Sequence, residues 1–439
     1  MTVRAETPDL LDLLDQASAA ATRATGRNSM IQVVWTYDRG VNLEGLERFR
    51  KALAHGLLGR RVIASPLPFG RDRWVASTAA AQISVAAPRP RAGIDAWLDE
   101  RAAVPIDPWS GPGWHLGVLP LEGGGSAVTL VVSHVLADGV GTATAVAEAA
   151  LGTRRALPYP RQALPAWRSV PRDAALTVRR LPAAVRASAT AARLARGRLS
   201  PDQGTGRTAP AARPHPVGPD RWTTAHIDRA ALAERAAALG GTETTLLFGV
   251  SAAIAAALGW VRPADGAAVL GMSVNSRTEG DLRGNAITDV ELTVDPAAGA
   301  DGITALRGAI REALAGLSGE GRFEVFGPLV TLLPKRVFAS LIDAPPDPAR
   351  PVTTCAGVGS LPAPVRSPDG TPADRCWFRL AWSALPGRQA PPRPPYLYVG
   401  WTGTDAETTL FAATNLAVAA ELRGIVDNAV AMMLERSTV

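Results

Sequence analysis

The spacing of apolar positions changes period repeatedly along the chain, and each change marks an element. Thr7 followed by Pro8 is a capping side chain and then the residue favoured at the first helical position. It predicts a helix with Leu10, Leu11, Leu13 and Leu14 on its apolar face. Residues 30–37 (MIQVVWTY) are β-branched and aromatic and predict a strand. Residues 43–58 return to helical spacing, 74–75 and 83–85 suggest short strands, and 92–104 read as a helix. Residues 114–121 and 127–133 predict two strands joined by the turn Gly123-Gly124-Gly125, and a helix follows over 141–151.

Residues 161–198 differ, with many Arg and Ala residues around the apolar stripe Leu176, Val178, Leu181, Val185 and Leu194. They read as basic amphipathic helices. Residues 200–219, rich in Pro, Gly, Thr and Arg, predict an exposed linker. Beyond it the pattern predicts strands over 222–227, 267–274 and 287–294 and helices over 229–239, 244–258 and 303–317. A hairpin over 396–403 and 408–414 and a helix over 415–436 complete the chain. Strands and helices alternate in both halves. The expected class is therefore α/β, with an N-terminal lobe over 1–200, a linker over 201–219 and a C-terminal lobe over 220–439.

Composition changes this picture little. Of 439 residues, 47% are hydrophobic and 20% charged, a globular balance that excludes wholesale disorder. The net charge of +6 comes almost wholly from Arg, since Lys51 and Lys335 are the only lysines. That reads as biased Arg usage more than as a nucleic-acid surface. Cys355 and Cys376 are too few for a disulfide scaffold, and with no histidine nearby they predict buried small residues and no metal site. The N-terminus is acidic early and lacks a continuous apolar segment, and the apolar run over 246–261 is shorter than a membrane span. A cytoplasmic protein without a membrane span is expected, with peripheral contact left open.

Among five histidines His134 stands apart. It follows the apolar strand AVTLVVS and opens His134-Val-Leu-Ala-Asp138-Gly139 just before a helix. A neutral imidazole suits proton removal from a hydroxyl or amine near neutral pH. Asp138 can cap the helix or pair with a cation, and Gly139 permits a turn that a Cβ would obstruct. The alternative is a histidine satisfied in a core.

Ser133-His134-Val-Leu-Ala-Asp138-Gly139 resembles the HxxxDG signature of chloramphenicol-acetyltransferase-like, condensation-domain acyltransferases. Asn275-Ser276-Arg277 followed by Gly284-Asn285 is similar to a stretch early in their second lobe. The region around Pro108-Trp109 is similar to one preceding the histidine motif in the wax ester synthase branch. Ser133 replaces the first histidine of the doubled form. Thr244-Thr245 stands where the wax ester synthase branch has Asn-Asp, and Tyr398-Val-Gly400-Trp401 only echoes the BAHD motif. The resemblance implies two similar α/β lobes with a helical crossover and an active-site tunnel between them. It implies transfer of an acyl group from coenzyme A or a carrier protein to a small alcohol or amine, in specialised or lipid metabolism. His134 would be the general base. Amides near Gly139 would meet the oxyanion. Coenzyme A or a carrier protein enters as co-substrate, with no tightly bound cofactor. Arg277 is either the partner of Asp138 or a surface arginine. Asn285 either ends a turn or touches substrate, and Asn275 and Ser133 complete the supporting set.

Two other readings stand beside acyl transfer: cyclisation or isomerisation on the same fold, and a non-catalytic binding module. A dinucleotide site is excluded because Gly139-Val-Gly141-Thr-Ala-Thr144 lacks its third glycine. A nucleophile-elbow hydrolase is excluded because every histidine precedes Ser273. The basic 161–198 stretch is a solvated face or the approach of a phosphorylated donor.

Overall fold

The computed structural model describes residues 8–67, 70–77, 79, 81–165, 167–179, 182, 186, 215–318 and 346–435. The strands are β1 (Arg27–Tyr37), β2 (Arg60–Ile63), β3 (Arg73–Ala76), β4 (Ile83–Val85), β5 (Trp114–Pro120), β6 (Ser126–Ser133), β7 (Val217–Asp228), β8 (Ala268–Asn275), β9 (Ile287–Val294), β10 (Val352–Ser360), β11 (Arg375–Ala384), β12 (Leu397–Gly403) and β13 (Glu407–Leu416). The α-helices used below are α1 (Leu13–Thr25), α2 (Leu43–Leu53), α3 (Ile94–Ala102), α4 (Gly139–Ala150), α5 (Arg229–Ala238), α6 (Glu243–Ala257), α7 (Ile303–Ala315) and α8 (Leu422–Leu434).

Two mixed sheets organise the chain, in the orders β11-β1-β6-β5-β4 and β7-β13-β12-β10-β8-β9. β1 is central to the first and antiparallel to both neighbours. Its near-continuous burial fits a strand covered on both faces. Phe49 of α2 and Val146 of α4 pack into the first core with Trp35 and Leu130. In the second core α6 is apolar all round, with Leu246, Phe248, Val250 and Ile254 buried. A helix of that kind belongs inside a domain. Val426 and Met433 of α8 close the same core. Each such side chain contributes roughly 1.5–3 kcal/mol of burial.

Several boundaries move from those the pattern predicts. α1 starts at Leu13, not beside Pro8, because Asp12 supplies the capping carboxylate to Leu14 N–H. α8 starts at Leu422, because Asn415 and Leu416 still belong to β13, where Leu416 pairs with Val217. The linker gives up residues 217–219 to β7, which pairs along β13, while 201–214 and, within the basic stretch, 166, 180–181, 183–185 and 187–198 lie outside the described residues. One strand of the region 220–439 joins the first sheet. β11 leaves the second half and pairs with β1 over ten residue pairs, from Arg27↔Ala384 to Thr36↔Arg375. Sheet edges are satisfied by whichever strand arrives, whatever its position in sequence. Among the described residues no single helix is long and apolar enough to cross a membrane.

Candidate functional site

β6 ends at Ser133, and the next amide, His134 N–H, still donates to Ser29 O of β1 at 2.8 Å. The chain then turns through residues 135–138 and enters α4. Asp138 is the N-cap, its Oδ1 accepting from Gly141 N–H at 2.6 Å. His134 is therefore held between a sheet and a capped helix. It is half-buried and lines a cavity of about 740 Å³ between the two sheets.

Alternation along the strands supplies the walls. Phe378, Leu380 and Trp382 of β11 lie on one side, Gly271 and Ser273 of β8 and Trp401 of β12 on the other. Gly139 and Val140, in the first turn of α4, line the same space. A Cβ at Gly139 would lie 2.9 Å from a methyl of Val358, so glycine lets α4 approach the second lobe.

Asp138 also ties the lobes together. Its Oδ2 accepts from Arg277 Nη2 at 3.0 Å and from Ala286 N–H at 2.8 Å. Both charged side chains are buried, 6% and 3% exposed. Arg277 further donates to Gly284 O and Arg283 O, and so braces the loop between β8 and β9. Of the two readings of Arg277, the structure shows the partner of Asp138.

That loop delivers Asn285 to the imidazole. Asn285 Oδ1 lies 2.8 Å from His134 Nδ1, and its Nδ2 donates to His134 O at 3.1 Å and to Asp15 Oδ1 at 3.0 Å. A backbone carbonyl and a carboxylate only accept, so the amide must present Nδ2 to them and its oxygen to the ring. The ring nitrogen facing that oxygen must donate. In the neutral ring the proton therefore sits on Nδ1, and Nε2 keeps the lone pair. Asn285 neither merely ends a turn nor is left to meet substrate; it holds the histidine.

The other supporting residues are placed differently. Ser133 is fully buried and donates to Asn28 Oδ1 at 2.8 Å, beneath the site. Asn275 lines the cavity and accepts Arg277 N–H at 3.0 Å in a local turn.

Two residues carried no sequence signal. Asp15 in the first turn of α1 is fully buried and accepts from Gly284 N–H and Asn285 N–H at 2.8 and 2.6 Å. Burial pushes its carboxyl above the usual range, opposed by the nearby Arg60 charge and these donors. Arg60, 1% exposed, donates to Leu136 O at 2.7 Å, to Tyr159 Oη and to Leu282 O, and lies over the Trp74 ring. Burial draws its guanidinium below the ordinary value, while Tyr159 and Asp15 oppose the shift. Among the described residues no group of three or more acidic, His or Cys side chains could hold a metal ion.

No family model matches the chain, and neither does any curated protein. Solved structures do. The first condensation domain of the calcium-dependent antibiotic synthetase, in complex with a substrate analogue, has a TM-score of 0.57 at 15% identity, covering 97% of this chain and 96% of its own. The condensation domain of the monacolin K polyketide synthase MokA has a TM-score of 0.54 at 12% identity, with 97% and 96% covered. Polyketide synthase associated protein 5 from Mycobacterium tuberculosis has 0.54 at 14%, with 98% of each chain covered. The chain thus has the fold of condensation domains, two similar α/β lobes with His134 on the cavity between them.

Proposed function

We propose that this chain is an acyltransferase that moves an acyl group from a thioester to a hydroxyl or amine, with His134 Nε2 as the general base. The observation that supports this most is the oriented imidazole: Nδ1 is committed to Asn285, on the wall of a cavity of about 740 Å³. The acceptor's O–H or N–H gives its proton to Nε2 as the heteroatom bonds to the thioester carbonyl carbon. The carbonyl electrons move to oxygen, and the amides of Gly139 and Val140, cavity-lining residues at the positive end of α4, are the donors assigned to that oxyanion. Collapse breaks the carbon–sulfur bond, and the imidazolium returns its proton to the leaving thiolate. Ester or amide and free thiol are released, and the histidine ends neutral.

The donor is acyl-coenzyme A or an acyl carrier protein; the fold's occurrence in carrier-dependent synthetases favours the carrier. The test is thiol release from a panel of acyl thioesters with candidate alcohols and amines. His134→Ala should lower turnover about 10²–10⁴-fold. Undiminished turnover removes His134 from the mechanism.

A further inference from the structure

We propose that Asp15 is a positioning residue for the base: through Asn285 it dictates which nitrogen of His134 carries the proton. The inference rests on the acyl-transfer reading for its kinetic consequence, but not for its structural one.

An imidazole is a base at Nε2 only while its proton sits on Nδ1. A primary amide beside Nδ1 does not enforce this by itself. Asn285 could rotate by half a turn and present Nδ2 to the ring, which would then accept at Nδ1 and carry its proton on Nε2. Such a ring cannot take a proton from an acceptor. Something must fix the amide, and it must be a group that cannot donate.

Asp15 meets that requirement. Its Oδ1 receives both the backbone N–H of Asn285 at 2.6 Å and the side-chain Nδ2 at 3.0 Å. Its Oδ2 receives Gly284 N–H at 2.8 Å, so the carboxylate grips two successive residues. Flipping Asn285 would set its oxygen against a fully buried carboxylate oxygen. It would also turn an acceptor toward His134 O, which now receives Nδ2 at 3.1 Å. Two lost hydrogen bonds and two opposed acceptors in a buried site make the flipped form costly. Gly284 is what lets the carboxylate come so close. A Cβ there would lie 2.9 Å from Asp15 Oδ1 and 3.0 and 3.1 Å from the carbonyls of Leu136 and Val135.

Asp15 is not a general structural anion that happens to be nearby. All three of its donors belong to Gly284 and Asn285. Burial raises the Asp15 carboxyl, the Arg60 charge and the N–H donors oppose that shift, and the same Arg60 ties down the catalytic loop at Leu136 O. Residues of α1, β2 and the β8–β9 loop thus converge on one proton position.

The test is Asp15→Asn, which keeps size and shape but can turn an NH₂ toward Asn285 and so permit the flip. Nitrogen-15 NMR of histidine-labelled protein reports the tautomer directly, with His134→Gln used to assign the resonance. In the unaltered chain His134 should show a protonated Nδ1 and an unprotonated Nε2. Asp15→Asn should populate the opposite tautomer and lower kcat about tenfold or more with little change in KM. Asn285→Asp places a second acceptor-only group beside Nδ1. It should keep the Nδ1–H form and move the acid limb of the pH profile upward, because a carboxylate stabilises the imidazolium. A folded Asp15→Asn variant with an unchanged tautomer overturns the proposal, as does an Nε2–H ring in the unaltered chain. If Asp15→Asn does not fold, Asn285→Asp decides: an unmoved acid limb, or loss of the Nδ1–H form, overturns it. Failure of the acyl-transfer reading would appear instead as no thiol release from any thioester by the unaltered chain, with the tautomer result intact.

Discussion

Replacing Arg277 by methionine tests whether the lobes are held together at the site. The change keeps an unbranched side chain but removes the guanidinium that contacts Asp138 Oδ2 at 3.0 Å. Asp138 is left buried and ionised, and the carbonyls of Arg283 and Gly284 lose donors 2.8 and 3.0 Å away. Removing one partner of a buried pair costs about 3–5 kcal/mol. Asp138 keeps two backbone donors, Gly141 N–H and Ala286 N–H, so the lower end applies, about 3 kcal/mol. In a chain of this length that lowers the melting temperature by roughly 3 °C. The assay is urea unfolding followed by tryptophan fluorescence, with thiol release measured in parallel. Arg277→Lys should recover part of the stability, since a charge returns without the fork that reaches two carbonyls. Stability of Arg277→Met within about 0.5 kcal/mol of the parent would refute the reasoning, because that is what a surface substitution costs.

Three further outcomes follow from the same contacts. Ser133→Ala should leave kcat unchanged while costing about 1 kcal/mol, since Oγ is bound to Asn28 below the site; a large kcat loss in thiol release would contradict that placement. Gly284→Ala should cost about 1–3 kcal/mol in urea unfolding and depress turnover, because its Cβ meets two backbone carbonyls that cannot step aside. His115, buried beside Arg101, has its pKa pulled down from 6.5 to about 4, chiefly by desolvation. The unfolded chain therefore binds a proton there before the native one does, and stability should fall as pH drops from about 6.5 toward 4, by up to about 3 kcal/mol. His115→Gln should flatten that segment of the stability–pH curve; an unchanged slope would assign it elsewhere.

What could be read from the sequence follows the range of the forces involved. β5, β6 and their turn were legible because alternation and the three glycines are local signals. β10 was not: its sequence VTTCAGVGS carries two glycines and a register shift between Gly357 and Gly359, which breaks the pattern. β11 has strand-like composition, but its pairing with β1 is a contact across more than 300 residues that no local period encodes. The same limit applies at the site. His134 and Asp138 announced themselves by a strand-end motif, and Arg277 and Asn285 by their resemblance to the second-lobe stretch. Asp15 has no such local mark; it proves to be an acid in the first turn of α1, where the dipole favours one. Only the return of the chain some 270 residues later makes it part of the centre. Arg60 was one arginine among many, distinguished by a burial that composition does not reveal.

Covalent trapping of the imidazole tests the central claim most directly. A bromoacetyl thioester carries its reactive carbon into the space the substrate would occupy, and an unprotonated Nε2 on the cavity wall can displace the bromide. Both cysteines are buried, and burial pushes the Cys355 thiol up to about 12, so neither competes as a thiolate near neutral pH. Peptide mapping by mass spectrometry after brief treatment should find His134 alkylated, with labelling suppressed by an excess of unreactive thioester. An unlabelled His134 in a sample whose exposed His55 has reacted would show that the ring is not presented to a thioester, and would contradict the account.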